Sequence, residues 1–258
     1  MSDSDNYRQK KQFFNQMLTV YGRKPVLEAL QEPSARPYRL HLASSNKPGG
    51  IIAEIMALAE SKAAEIVWHD RQELSRISRN SKQDQGVALD LICEGYRPYQ
   101  EFLGQEPAAS YDIIALDRIT NPQNLGMIIR SVAASGCAGL LLPEKGCAKL
   151  DALVIKASAG TLFRAPVLRC QQLEQALDDF AAAGANIYGL SSHAKTSIGS
   201  TAAAGRNVFV LGNETDGVSE AVARRCNKLI SIPMSNGVES LNVAVTASLL
   251  AFRHLLQS

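Results

Sequence analysis

Asp112-Ile-Ile-Ala-Leu116, followed by Asn121-Pro-Gln-Asn124-Leu-Gly126 and then Met127-Ile-Ile-Arg130, reads as a buried strand, a turn and a helix. A strand that is apolar on both faces belongs in a parallel sheet covered on both sides. The turn carries Asn, Pro and Gly where the apolar run stops, and a helix is expected over 125–134. Downstream the same alternation recurs. Strands are expected at 139–142, 167–168, 186–190, 207–211 and 228–232, with helices near 152–157, 172–182, 219–225 and 242–256. Short doubly buried strands interleaved with helices predict an α/β domain over residues 112–258.

Upstream lies a smaller α/β unit, expected over residues 19–94. Val26, Leu27 and Leu30 sit at helical spacing behind Pro25, which suits a first helical turn. Residues 38–43, 65–68 and 87–92 read as strands, and 50–64 and 71–77 as helices. Residues 95–111, with Pro98, Gly104 and Pro107, read as a linker. Residues 1–18 read as a flexible basic arm. Between Arg8 and Lys47 there are eight Lys/Arg against two Glu, which suits a phosphate-reading surface or, equally, a solvated face.

Composition narrows the chemistry. The 258 residues are 46% hydrophobic with a formal net charge of +2, so the chain is globular and only weakly basic as a whole. No two of the five cysteines have Cys-x-x-Cys spacing, which predicts buried thiols, no metal, and a reducing, cytoplasmic location. The N-terminus has no apolar signal region, and no run reaches the roughly 18 apolar residues of a membrane span. There is no Gly-x-Gly-x-x-Gly turn after the first strand, no Gly-Lys-Ser/Thr phosphate loop and no Gly-x-Ser-x-Gly elbow. The four histidines are scattered. Hydride transfer, nucleotide hydrolysis and acyl transfer therefore lose support.

Parallel sheets bind ligands outside the carboxyl ends of their strands. Three segments lie there: Asn121 to Arg130, Leu211-Gly-Asn-Glu214-Thr-Asp-Gly217, and Ile232-Pro-Met-Ser-Asn-Gly-Val-Glu-Ser240-Leu-Asn242. Arg130 sits among Met127, Ile128, Ile129 and Val132; it either snorkels to the surface or clamps a phosphate or ribose oxygen. In an ideal helix Asn124 and Arg130 are about 240° of net rotation apart and do not share a face; they can converge if Asn124 lies in the preceding turn. Glu214 either belongs to a capped turn or presents a carboxylate to a ligand. Ser240 and Asn242 can each cap the last helix, but a long irregular loop in a sheet domain suggests binding.

Together these segments resemble motifs 1, 2 and 3 of the SpoU (TrmH-like) family of RNA ribose 2'-O-methyltransferases, within the SPOUT superfamily. Tyr21-Gly-Arg-Lys-Pro-Val26 and Gln85-Gly86-Val87-Ala88 resemble landmarks of the family's L30e-like RNA-binding domain. The resemblance implies a SPOUT methyltransferase domain with a deep trefoil knot, S-adenosylmethionine as cofactor, an RNA substrate (ribosomal RNA before transfer RNA) and a homodimer whose active site draws on both subunits. It places Asn124, Arg130, Glu214, Ser240 and Asn242 at the catalytic site. It places Leu211, Gly212, Asn213, Gly217, Ile232, Met234 and Leu241 around the cofactor. The family often assigns the motif 1 Arg as the base. Deprotonating an arginine at pH 7 costs at least about 7 kcal/mol, so a charged Arg130 that steadies the phosphate and the developing alkoxide is physically easier. The chain departs from the family pattern at Asp84, where His is frequent, and at Ala244, where Ser is frequent. A non-catalytic RNA-binding protein on the same scaffold is the alternative from another class.

Overall fold

The computed structural model describes residues 13–200, 205–253 and 255. The chain begins β1 (Met17–Tyr21), α1 (Arg23–Gln31), β2 (Pro37–Ala43), α2 (Ile51–Ser61), β3 (Glu65–His69), α3 (Arg71–Ser78) and β4 (Val87–Ile92). It continues β5 (Arg97–Pro98), α4 (Tyr99–Leu103), β6 (Tyr111–Leu116), α5 (Pro122–Ala134), β7 (Gly139–Pro143), α6 (Ala152–Ala157), β8 (Val167–Cys170) and α7 (Leu173–Ala182). Then come β9 (Asn186–Leu190), β10 (Thr196–Ser197), β11 (Arg206–Leu211), α8 (Glu220–Ala223), β12 (Lys228–Ser231) and α9 (Val243–Ala251). The chain divides into two compact units, one comprising residues up to Tyr96 with Leu150–Arg164, the other comprising Arg97–Lys149 and the residues from Ala165 onward. No helix among the described residues is long and apolar enough to cross a membrane.

The first unit is built on a four-stranded sheet in the order β1-β4-β2-β3, antiparallel except where β2 runs parallel to β3. Leu40, Leu42, Leu89 and Leu91 are fully buried on it. One polar side chain from each strand joins a chain across the sheet. Thr19 donates to Asp90 (2.6 Å), Asp90 bonds His41 Nε2 (3.0 Å), and His41 Nδ1 bonds His69 Nε2 (2.9 Å). His41 is buried, and this chain satisfies both its ring nitrogens.

The second unit is an eight-stranded sheet ordered β10-β12-β9-β11-β6-β7-β8-β5, parallel at each pairing. β6 is buried at all six residues, as its unbroken apolar run predicts. The order reverses beside β6: β7 and β8 lie to one side, β11 and β9 to the other. The loops that leave the carboxyl ends of β6 and β11 therefore flank a topological switch point. α5 and α9 pack against each other, and the Ser131 and Ser248 hydroxyls meet at 2.8 Å. Below them Arg253 is anchored in the sheet. Its Nε donates to Asp112 Oδ2 (2.6 Å), and its guanidinium lies 4.7 Å from the Phe209 ring centroid. Asn207 also donates to Asp112, at 3.0 Å, so this buried carboxylate is multiply bonded.

The stretch read as a linker, 95–111, holds more structure than expected. β5 pairs with β8, and Tyr99 and Phe102 are buried against Phe180 in the second unit's core. A two-residue strand and a five-residue helix are too short to show a period among Pro98, Gly104 and Pro107. β1 begins at Met17, inside the expected arm; residues 1–12 of that arm lie outside the described residues. Its apolar signal is only five residues long, and its pairing partner β4 lies some 70 residues away in sequence. All five cysteines are free thiols, and burial pushes the thiols of Cys93 and Cys170 up to about 12.

Candidate functional site

α5 starts where Asn121 caps it. The Asn121 side-chain oxygen accepts from Gln123 N at 2.8 Å and from Asn124 N at 3.3 Å, and Pro122 fills the first turn. Asn121→Ala is expected to cost about 1 kcal/mol of stability, read as a shift in the denaturant midpoint with unchanged slope. This cap fixes where Asn124 sits.

Asn124 is buried, and both ends of its amide are used. Its Nδ2 donates to Glu214 Oε1, and its Oδ1 accepts from Asn242 Nδ2 at 3.2 Å. Asn242 in turn caps α9 through Ala244 N at 2.8 Å. A continuous hydrogen-bonded chain thus ties together the loops after β6, β11 and β12, which lie 90 and 118 residues apart in sequence.

The loop after β11 is fastened at both ends to the end of β6. Asp117 N donates to Leu211 O and Asp117 Oδ2 accepts from Ser219 N, at 2.8 and 2.6 Å. Within the loop, Gly217 N donates to Asn213 O at 2.8 Å. Gly212 packs so closely against this turn that a Cβ would stand 2.1–2.2 Å from backbone atoms of Gly217 and Val218. Gly217 itself has φ +67°, a conformation that glycine adopts without strain.

Outside these strand ends lies a cavity of about 730 Å³. Leu211, Gly212, Asn213, Glu214, Gly217, Ile232, Met234, Ser240 and Leu241 all line it, so nine of the twelve expected site residues surround one space. Asn124 joins it through its hydrogen bond to Glu214, and Asn242 through its bond to Asn124. Arg130 does not line it: it lies exposed on α5, as the 240° separation from Asn124 predicts. The sequence reading missed Ser191, Ser192 and His193, which also line the cavity. They follow β9, and their position at a strand's carboxyl end was the available signal. Among the described residues the lining carries the carboxylates Glu214, Asp216 and Glu239 and no Lys or Arg; Asp216 is met from outside the lining by Arg118 Nη1 at 3.5 Å. Such a cavity favours a cationic ligand of nucleoside size.

In the first unit the two family landmarks also meet. Asn46 is buried, donates from Nδ2 to Gly86 O (2.6 Å) and accepts from Arg23 Nη2 (2.9 Å), while Arg23 N donates to Gln85 Oε1 (3.1 Å). Arg23 and Lys24, which open α1, and Lys82 are exposed here. The departure at Asp84 is structural here: its carboxylate accepts from Ser78 Oγ (2.8 Å) and Gly86 N (2.9 Å) and shapes the turn. Ala244 is buried, with its N–H committed to Asn242.

The model of the SpoU rRNA Methylase family matches residues 112–252. A second model, described as RNA 2'-O ribose methyltransferase substrate binding, matches residues 19–98. A tRNA/rRNA methyltransferase, named as uncharacterized, of Mycolicibacterium vanbaalenii is 36% identical over 232 residues, covering 88% of this chain and 73% of its own. One of the same name from Mycobacterium ulcerans is 35% identical over 236 residues, covering 89% and 74%. Among solved structures, the SpoU methyltransferase AviRb of Streptomyces viridochromogenes in complex with AdoMet aligns with a TM-score of 0.61 at 22% identity, over 94% of this chain and 90% of that one. The AdoMet-bound rRNA methyltransferase of Sinorhizobium meliloti aligns at 0.62 and 22%, over 96% and 90%. At these identities the two structures share the fold.

Proposed function

Since this chain belongs to the SpoU rRNA methylase family and is an RNA methyltransferase of that family, we propose that it transfers a methyl group from S-adenosylmethionine to a ribose 2'-hydroxyl of ribosomal RNA. The observation that carries this reading is the Glu214–Asn124–Asn242 chain, which joins the three motif loops at one cavity.

The residues present fit the donor. The cavity volume suits a nucleoside carrying an amino-acid tail, and three carboxylates with no Lys or Arg suit its positive charge. The strand-end loops of Gly212, Ile232 and Leu241 hold its adenosine part. When bound, S-adenosylmethionine supplies an electrophilic methyl on a sulfonium. The chain's own task is alignment and charge. Glu214 Oε1 is occupied by Asn124, and Oε2 is left to accept a hydrogen bond from the ribose hydroxyl. Ser240 and Asn242 shape the loop beside it.

Arg130 acts as a charged clamp in this reading. Its exposure frees the guanidinium for a phosphate, and a neighbouring phosphate raises still further the cost of deprotonating it. Its position on α5 also supports a site shared between two copies. α5 and α9 leave Met127, Val245 and Leu249 between 41% and 48% exposed, an apolar face that a second copy of the chain covers. Arg130 lies one turn from Met127 and so comes to that seam, toward the partner's cavity. The trefoil threading of the loops after β11 and β12, and a cytoplasmic location, belong to the same reading. In the first unit, the joined loops with Arg23, Lys24 and Lys82 grip RNA phosphates.

Incubation of ribosomal RNA and, separately, transfer RNA with the protein and methyl-labelled S-adenosylmethionine, followed by digestion to nucleosides, tests the reaction. The label is expected on 2'-O-methylated ribose. Label on a base, or on transfer RNA only, contradicts it.

A further inference from the structure

Arg118 stands at the carboxyl end of β6 with φ +59°, the left-handed region that strains any residue with a side chain. Such outliers persist where the surroundings over-determine them, and they gather at working sites. The surroundings here are specific. The Arg118 carbonyl accepts from Asn213 Nδ2 at 3.2 Å. Its Nη2 donates to Gly217 O at 3.1 Å, and its Nη1 reaches Asp216 Oδ2 at 3.5 Å. Its Nε lies 3.6 Å from Asp117 Oδ1. One residue therefore holds the first and last positions of the 213–217 turn and the acidic residue between them. Glu214 projects from that same turn to Asn124. Neither length, composition nor the three motifs assigns Arg118 any role.

We propose that Arg118 is a positioning residue: its left-handed backbone and its guanidinium together set the turn that presents Glu214 and the Asn213–Gly217 backbone to the methyl donor. The proposal rests on S-adenosylmethionine binding in this cavity. An arginine is suited to the task because its planar fork reaches a carbonyl and a carboxylate from two nitrogens held in fixed geometry, where a lysine offers one compact ammonium on a flexible stem. Glycine would relieve the backbone strain but make none of the side-chain contacts.

That opposition yields a test. Calorimetric titration of wild type, Arg118→Gly and Arg118→Lys with S-adenosylmethionine is combined with thermal denaturation of each without ligand. Arg118→Gly is expected to keep or raise the thermal midpoint while its Kd for the donor rises about tenfold, equivalent to 1.4 kcal/mol. Arg118→Lys, which retains the charge on a single donor nitrogen without the planar fork, is expected to fall between the two in affinity. Unchanged affinity in Arg118→Gly overturns the proposal. So does a loss of affinity that merely follows a large fall in the midpoint, because that marks a general brace. If wild type itself does not bind the donor, the proposed function fails instead, and Arg118 is left as a structural brace only.

Discussion

Arg130→Ala is expected to lower methyl transfer by about 100- to 1,000-fold, or about 2.7–4 kcal/mol of transition-state stabilisation. The protein should remain folded. Arg130 is exposed on α5 and takes no part in the core, so the thermal midpoint should stay within the small range of surface substitutions. Donor affinity should also be nearly unchanged, because Arg130 does not line the cavity. A lysine at this position keeps the charge but not the bidentate fork and should recover only part of the rate. The exposed position adds a sharper expectation. If Arg130 serves the partner's cavity, then Arg130→Ala mixed with Glu214→Ala should regain activity that neither has alone. Random pairing gives mixed dimers with one intact site, about a quarter of the wild-type rate. Recovery near zero would place Arg130 and Glu214 in the same subunit's site.

Gly212→Ala is the second large effect, and it separates from the first by acting on donor binding. The added Cβ would lie 2.1–2.2 Å from Gly217 and Val218 backbone atoms, which cannot rotate away as a side chain can. φ at Gly212 is not positive, so the obstacle is the contact and not the dihedral angle. Relief requires the 213–219 loop to lift, which breaks the Asn213–Gly217 bond and carries Glu214 away from Asn124. Donor affinity should fall at least about a hundredfold, near 2.7 kcal/mol, with a stability loss of about 1–3 kcal/mol from overpacking. Calorimetry and denaturant unfolding measure the two separately. A Gly212→Ala protein that binds S-adenosylmethionine as wild type does would mean that this turn is not part of the donor site.

Much of this architecture is legible in the sequence, for reasons that particular residues make plain. The 112–116 run is buried at every residue, whereas the helix expected over 125–134 begins three residues earlier at Pro122, because Asn121 caps it and Pro122 suits its first turn. Arg130's separation from Asn124 follows from helical rotation alone. What escaped depends on contacts distant in sequence. β5 has two residues and is defined only by β8; β1 is defined by β4. The helix at Ala152–Ala157 groups with the first unit although the sequence around it belongs to the second, which no local pattern encodes. Arg118 looks like an ordinary charged residue after a strand; its three attachments to the 213–217 turn exist only once β11 lies beside β6. The cavity segment after β9 carries small polar residues with no cap or periodic signal to mark it.

The most direct measurement is a crystal structure of the protein with S-adenosylmethionine. The donor should lie in the cavity outside β11, β9 and β12, against Gly212, Ile232 and Leu241, with its methyl facing the Glu214–Asn124–Asn242 chain that ties together the loops after β6, β11 and β12. Density for the donor anywhere else, or those three loops parted with the cavity closed by packed side chains, would contradict the account.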